Sequence, residues 1–262
     1  MRRTLYTILA LSVLASCSVR EDRMVCPASL ELTVSRQVDS IYQDGLAWCY
    51  VCSDAEVLLA SSPLEGMNGR DTMLRYEVPR TALSVVSSNR EVTGGCVVAE
   101  RDSCMCALWA FRLDVDSRGE KIAGIIDRVD RQFCNLTILL SKDAMPYVSA
   151  LEVIVLSPYN GTVFPSLAAH AGDFLYATAF DSRGRAFARL PRQGGPGLVL
   201  SLADNGGSFA SNIDLYDYMV QAGYDWTATS LCDFTVTVGL NSAGGEMEII
   251  DWDVEEIGDR EF

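Results

Sequence analysis

The chain has 262 residues, with 35 Asp and Glu against 21 Lys and Arg and a formal charge of −14. No block of basic residues occurs, so phosphates are repelled and nucleic acid is excluded as a partner. The single histidine, His170 in "SLAAHAG", has no nucleophile motif such as G-x-S-x-G beside it. A catalytic triad or histidine-rich metal site is therefore not expected, and no enzymatic activity or cofactor is called for.

The opening "MRRTLYTILALSVLAS" places Arg2 and Arg3 ahead of an apolar run from Leu5 to Ala15 and then small residues. That is the layout of a secretory signal over residues 1–16, because the run is shorter than the roughly 20 residues a membrane span needs. Leu14-Ala15-Ser16-Cys17 resembles the bacterial lipobox, in which the cysteine thiol takes a diacylglyceryl group and becomes the mature terminus. Several acyl chains, palmitate among them, at about 0.8 kcal/mol per buried methylene would hold such a chain on a membrane. Cleavage takes the formal charge from −14 to −16, since Arg2 and Arg3 leave and no acid does. Arg20, Glu21 and Asp22 resemble the surface-export signal of Bacteroidota lipoproteins, and equally read as part of a solvated tether over 17–29.

Beyond the tether, alternating apolar and polar residues predict strands at 30–34, 46–51, 56–60, 73–78, 108–115, 121–126, 135–140 and 151–156. Further strands are predicted at 174–180, 186–190, 198–202, 234–240 and 246–254. Turn chemistry separates them at Asn160-Gly161, at Gly194-Gly195-Pro196-Gly197 and at Asp204-Asn205-Gly206-Gly207. Asp-Ser-Arg-Gly occurs twice, at 116–119 and 181–184, and reads as two hairpins at equivalent points of two related β-domains. One helix is predicted, capped by Ser211 or Asn212, with Leu215, Met219 and Ala222 on one face and Gly223 stopping it. The fold class is all-β: two tandem β-sandwiches over 30–145 and 146–262 with one short helix in the second.

Cys26, Cys49, Cys52, Cys96, Cys104, Cys106, Cys134 and Cys232 form an even set, which in an exported chain points to disulfides. Their connectivity stays open. Cys49 and Cys52 would face opposite sides of one strand, and Cys104 and Cys106 would lie about 7 Å apart, beyond comfortable reach. A redox role for Cys49-x-x-Cys52 lacks the helix start that lowers a thiol pKa. A zinc site from Cys49, Cys52, Cys104 and Cys106 is the alternative to disulfides.

The ordered series "CSVREDRMVCPASLELTV", "LRYEVPRTALSVV", "RQFCNLTILL", "LEVIVLSPYNG", "GDFLYATAF", "RLPRQGGPGLVLSL" and "GYDWTATSLCDFTVTV" resembles the fimbrillin-A-associated anchor family of Bacteroidales fimbriae. Residues 35–72 match that pattern weakly. The resemblance implies two transthyretin-like sandwiches, with "RQFCNLTILL" closing the first. It also implies a lipid-anchored outer-membrane protein, exposed at the surface and associated with the fimbrium. Such a chain joins fimbrial stalk or accessory subunits by strand pairing, in which an added strand satisfies an open sheet edge. The candidate partner strand is "EMEIIDWDV", with Met247, Ile249 and Asp251 on one face and Glu248, Ile250 and Trp252 on the other. The competing reading is a surface glycan-binding lipoprotein of sandwich type, which needs exposed tryptophans. Trp48, Trp109, Trp226 and Trp252 all lie in or beside strand-like runs, a placement that suits packing.

Overall fold

In "ASLELTV" the alternation decides both element and face. Ala28, Leu30, Leu32 and Val34 are buried in β1 (Ala28–Val34), while Ser29, Glu31 and Thr33 look outward. The computed structural model describes residues 26–38, 47–64, 70–116, 118–204, 210–240 and 247–255. The remaining strands of the first half are β2 (Trp48–Ser53), β3 (Leu58–Pro63), β4 (Thr72–Val78), β5 (Ala82–Ser88), β6 (Cys96–Val98), β7 (Trp109–Asp116), β8 (Lys121–Ile126) and β9 (Asp130–Arg131). They are followed by β10 (Phe133–Leu140), β11 (Leu151–Val163), β12 (Ala169–Ala179), β13 (Arg185–Pro191), β14 (Val199–Asp204), β15 (Ala210–Asp214), helix α1 (Leu215–Gln221), β16 (Asp233–Leu240) and β17 (Met247–Glu255).

These strands form four sheets. A three-stranded sheet β4-β1-β8 faces β3-β2-β5-β7-β9 across a core of Leu30, Leu32, Val51, Leu83, Val85 and Ile126. Sheet β13-β10-β16-β17 faces β12-β11-β14-β15 across a second core built on Leu136, Ile138, Val153, Leu200, Phe234 and Val236. The fold is all-β, two sandwiches with one short helix, as expected.

The two sandwiches repeat one topology. In the first, β1 lies between antiparallel β4 and parallel β8; in the second, β10 lies between antiparallel β13 and parallel β16. The facing sheets match as well, β3-β2-β5-β7 answering β12-β11-β14-β15. Strand β10 therefore opens the second sandwich as β1 opens the first. This corrects the expectation that residues 131–140 close the first sandwich, and a division at 145/146 would cut β10 from its own sheet. Among the described residues, strand β17 has no counterpart in the first sandwich, where β8 is the outer strand.

Several local expectations are also corrected. Neither Asp-Ser-Arg-Gly stretch makes a hairpin: each carries the chain across to the facing sheet, from β7 to β8 and from β12 to β13. The two crossings are not equivalent in the repeat either, since β7–β8 corresponds to β15–β16 and β12–β13 to β3–β4. Gly184 does take a positive φ of 70° there, and Asp181 holds the turn through the N–H groups of Arg183 and Arg185, both at 2.9 Å. Ser117 lies outside the described residues. Asn160-Gly161 is not a turn but a bulged part of β11, which runs on to Val163. Ser211 and Asn212 pair within β15, so the cap of α1 falls to Asp214, whose carboxylate accepts from the Asp217 N–H at 3.0 Å. Leu215 and Met219 face the core, and Gly223 ends the helix with φ 89°.

A strap over residues 89–108 joins the sandwiches. The Val92 N–H donates to Tyr50 Oη at 2.7 Å on the first, and the Met105 N–H to the Arg189 carbonyl at 3.0 Å on the second. Within it, β6 pairs with residues 161–163 of β11. A small core of Val86, Val97, Met105, Leu108, Phe133 and Phe164 fills the junction. The backbones approach so closely that a Cβ on Gly161 would collide with the Val97 carbonyl and the Val98 Cα. Gly161→Ala is expected to push β6 off β11 and cost about 2 kcal/mol, read as a lower thermal midpoint with faster amide exchange at 96–98. An unchanged midpoint and exchange pattern would show that the strap adjusts freely.

Candidate functional site

The site residues expected for attachment and assembly lie toward the two ends of the chain. Cys17, Arg20, Glu21 and Asp22 lie outside the described residues. The described chain begins at the exposed Cys26, and β1 starts two residues later. Both edges of β1 are taken, by β4 over 28–34 and by β8 over 29–34. Leu30, Leu32 and Val34 are fully buried, each contributing roughly 2 kcal/mol of burial. On the outer face Glu31 lies 2.9 Å from Lys121 Nζ and 3.1 Å from Arg75 Nε, bracing the three strands side to side. The hydrogen bond from Lys121 lowers the Glu31 pKa below the usual carboxylate value.

At the other end β17 pairs with β16 along its whole length and leaves its far edge without a strand among the described residues. Here the expected faces are corrected. Asp251 stands opposite Thr237 but Ile249 opposite Val238, so Ile250 is an extra residue, a β-bulge. The alternation flips there. Met247, Ile249 and Val254 pack on the core, whereas Asp251 falls with Glu248 and Asp253 on the solvent side. Trp252, opposite Val236, turns back over the helix and meets Tyr218 edge-on at 5.3 Å, remaining 48% exposed. The Trp252 N–H is bonded by the Asp251 carboxylate at 2.9 Å instead of by a neighbouring strand.

The position of β16, and so of β17, depends on the loop 225–231 that precedes it. Arg192, at the end of "RLPRQ", is buried and spends its guanidinium on that loop. Nη1 donates to the carbonyls of Trp226 and Ala228 at 2.7 and 2.8 Å; Nη2 donates to Thr229 O at 3.2 Å and Gln132 Oε1 at 2.9 Å. Arg192 Nε has no partner, and burial lowers the pKa of the group. Beside it Arg131 Nε donates to Leu231 O at 2.7 Å. Its Nη2 sits 2.8 Å from Asp233, close enough for an ion pair yet off the line of a hydrogen bond. Asp225 folds the loop onto Thr227, whose hydroxyl and N–H donate at 2.6 and 2.8 Å and hold its carboxyl below the ordinary range. Tyr224 and Trp226 are buried in the core below. "GYDWTATSL" and "RLPRQGG" are thus two halves of one clamp, a role that spacing along the chain does not reveal.

The remaining expected sites are dispersed. None of the eight cysteines beyond Cys17 is disulfide-bonded in the structure, and Cys49, Cys52 and Cys134 are buried. Burial pushes Cys49 and Cys134 up to about 12. Cys49 faces the first core, while Cys104 and Cys106 belong to the strap, and among the described residues no three His, Cys, Asp or Glu side chains converge as metal ligands. His170 Nδ1 lies 2.8 Å from Asn160 Oδ1 at the bulge of β11. Trp226 is buried and Trp48 and Trp109 are half-buried, so Trp252 alone of the four is largely open. No helix among the described residues is long and apolar enough to cross a membrane.

The clamp gives a direct stability test. Arg192→Met strands three carbonyls and the Gln132 amide, so unfolding is expected about 3 kcal/mol easier, roughly 10 °C in Tm. Arg101→Met, on a side chain 95% exposed, serves as the control and should stay near wild type. Equal midpoints for both variants would remove the clamp's importance.

No family model matches the chain, and no curated protein sequence matches it. Solved structures do. The fimbrial anchor protein Mfa2 from Porphyromonas gingivalis superposes with a TM-score of 0.59 at 11% identity, over 87% of this chain and 97% of that chain. A candidate polysaccharide-binding protein of Bacteroides thetaiotaomicron gives 0.56 at 10% identity over 86% and 98%. A candidate adhesin of the same species gives 0.55 at 13% identity over 88% and 98%. Nearly the whole of each neighbour is matched, so both sandwiches and their order are shared. The fold expected from the family resemblance is shown.

Proposed function

We propose that the chain is a non-enzymatic lipoprotein of the bacterial outer membrane, serving as an anchor or accessory subunit of a fimbria. It is held through acylated Cys17 and joined to stalk or accessory subunits by strand pairing. The observation that carries this reading is the place of β1. A strand with both backbone edges bonded and three fully buried side chains is costly to remove from its sheet. An acylated residue only 11 positions ahead of Ala28 then ties the membrane directly to the middle of a sheet. Such a subunit is fixed at its N-terminal end and can grow an assembly only from other edges. The outer edge of β17 supports that role, because it is an addition to the repeated topology and faces outward. Arg20, Glu21 and Asp22 support display on the outer leaflet. The fold shared with a fimbrial anchor agrees with this role.

Two measurements test the proposal. Cys17→Ser should abolish palmitate labelling and move the protein from the membrane pellet to the soluble fraction; retention in the pellet would refute lipid anchoring. A photo-crosslinking residue at Ile250, 51% exposed on β17, should trap a discrete adduct with a fimbrial subunit in cells. The same probe at Phe187, 53% exposed on β13 at the opposite edge of that sheet, should not. Equal adducts from both positions, or none from Ile250, would rule out pairing at β17.

A further inference from the structure

We propose that Cys134 and Cys232 form a disulfide that ties β10 to β16 inside the second sandwich. The register of the two strands brings the thiols together. β10 and β16 run parallel with Leu136 opposite Phe234, Thr137 opposite Thr235 and Ile138 opposite Val236. Two residues before the start of this pairing stand Cys134 in β10 and Cys232 just ahead of β16, next to the fully buried Leu136 and Phe234. Cys134 is itself fully buried, and Cys232 is partly buried against the same core. Neighbouring strands lie about 4.8 Å apart, inside the Cα separations that disulfides span. Cys232 precedes the first residue of β16, so joining the two sulfurs breaks no ladder bond between β10 and β16.

A third residue marks the same spot. The Tyr224 hydroxyl donates to the Cys232 carbonyl at 2.8 Å and also hydrogen-bonds with the Cys134 thiol. Four of the other cysteines offer no comparable pair. Cys49 and Cys52 are three residues apart on an extended strand, about 10 Å, with Cys49 turned to the core beside Tyr76 and Cys52 toward Arg112 and Glu56. Cys104 neighbours Tyr176, and Cys106 neighbours Arg90 and Arg189.

The chemistry sets the order of events. Burial holds the folded Cys134 thiol near 12, which leaves little thiolate to react at neutral pH. The bond therefore closes while the sandwich is still assembling. The Cys232 thiolate attacks the disulfide of a thiol-disulfide oxidant, forming a mixed disulfide and expelling one oxidant thiolate. The Cys134 thiolate then attacks Cys232 Sγ and expels the second. The two cysteines lose two protons and two electrons, and the oxidant leaves as a dithiol. The product closes a loop of about 100 residues and pins β16, the strand on which β17 is laid.

Trypsin makes the test direct, since Gln132–Lys142 contains only Cys134 and Gln193–Arg260 only Cys232. The full chain is refolded in a mixture of oxidised and reduced glutathione, blocked with N-ethylmaleimide and digested without reduction. A joined pair of these two peptides is expected. Recovery of both as separate alkylated peptides, or of Cys134 bonded to another cysteine, would overturn the assignment. As a second measurement, wild type refolded under reduction should melt about 10 °C below the oxidised form. Cys232→Ser should melt at that lower temperature under either condition. A redox shift of equal size in Cys232→Ser would also overturn it.

Discussion

Each sandwich is held by the strand that begins it. β1 and β10 occupy the same place, between one antiparallel and one parallel neighbour, with their inward side chains fully buried. A parallel neighbour cannot be reached by a tight turn, so the first strand is bonded to one that arrives much later in the chain. Lys121 follows Ser29 by most of a domain, and Phe234 follows Leu136 likewise. The sandwich closes only when that late strand arrives, and such distant pairings make folding slow. The first strand is thus a structural keystone and, under the proposed function, the point at which force from a lipid tether would enter.

The repeat makes the departures from it informative. Where β7 passes to β8 by a short turn, the second sandwich inserts α1 and the clamped loop 225–231 between β15 and β16. That insertion supplies Tyr218 and the carbonyls that Arg192 holds. Beyond it comes β17, which has no counterpart among the described strands of the first sandwich. Helix, clamp and additional strand are neighbours in space, since Trp252 meets Tyr218 and Arg131 pairs with Asp233 at the start of β16. The second sandwich has been elaborated at one edge, and the elaboration is where an outward-facing strand results.

Much of this was legible in the sequence wherever burial is one-sided. β1, β4, β8, β10, β13 and β16 follow period-two alternation, β17 follows it only as far as its bulge, and the bounds of all seven fall within two residues of expectation. β5 escaped because both its faces are buried, Val85 in the first core and Val86 in the junction, with Ser84, Ser87 and Ser88 enclosed too. β6 and β9 have three and two residues, too few to show a period. Asn160-Gly161 has turn chemistry, but the glycine is needed for close approach of β6. Sheet membership is not written locally at all. Nothing in "RQFCNLTILL" says which sandwich it enters, and nothing in Asp-Ser-Arg-Gly says whether the next strand pairs with the last or faces it. The bulge at Ile250 was equally hidden, and it alone moved Asp251 to the other face.

That displaced aspartate bears on how an open edge is kept from the wrong partners. An exposed strand edge invites pairing with any extended chain, including a second copy, and charge on the edge is a common guard. Asp251 guards β17 twice, by placing a carboxylate on the solvent face with Glu248 and Asp253 and by occupying the Trp252 N–H. Two β17 strands brought side by side would set acids against acids, on chains already at −14 each. A partner strand must displace a local hydrogen bond and bring neutral or basic side chains to that face. Under the proposed function, the edge is closed to its own kind and open to a different subunit, which an anchor requires and a polymerising stalk does not.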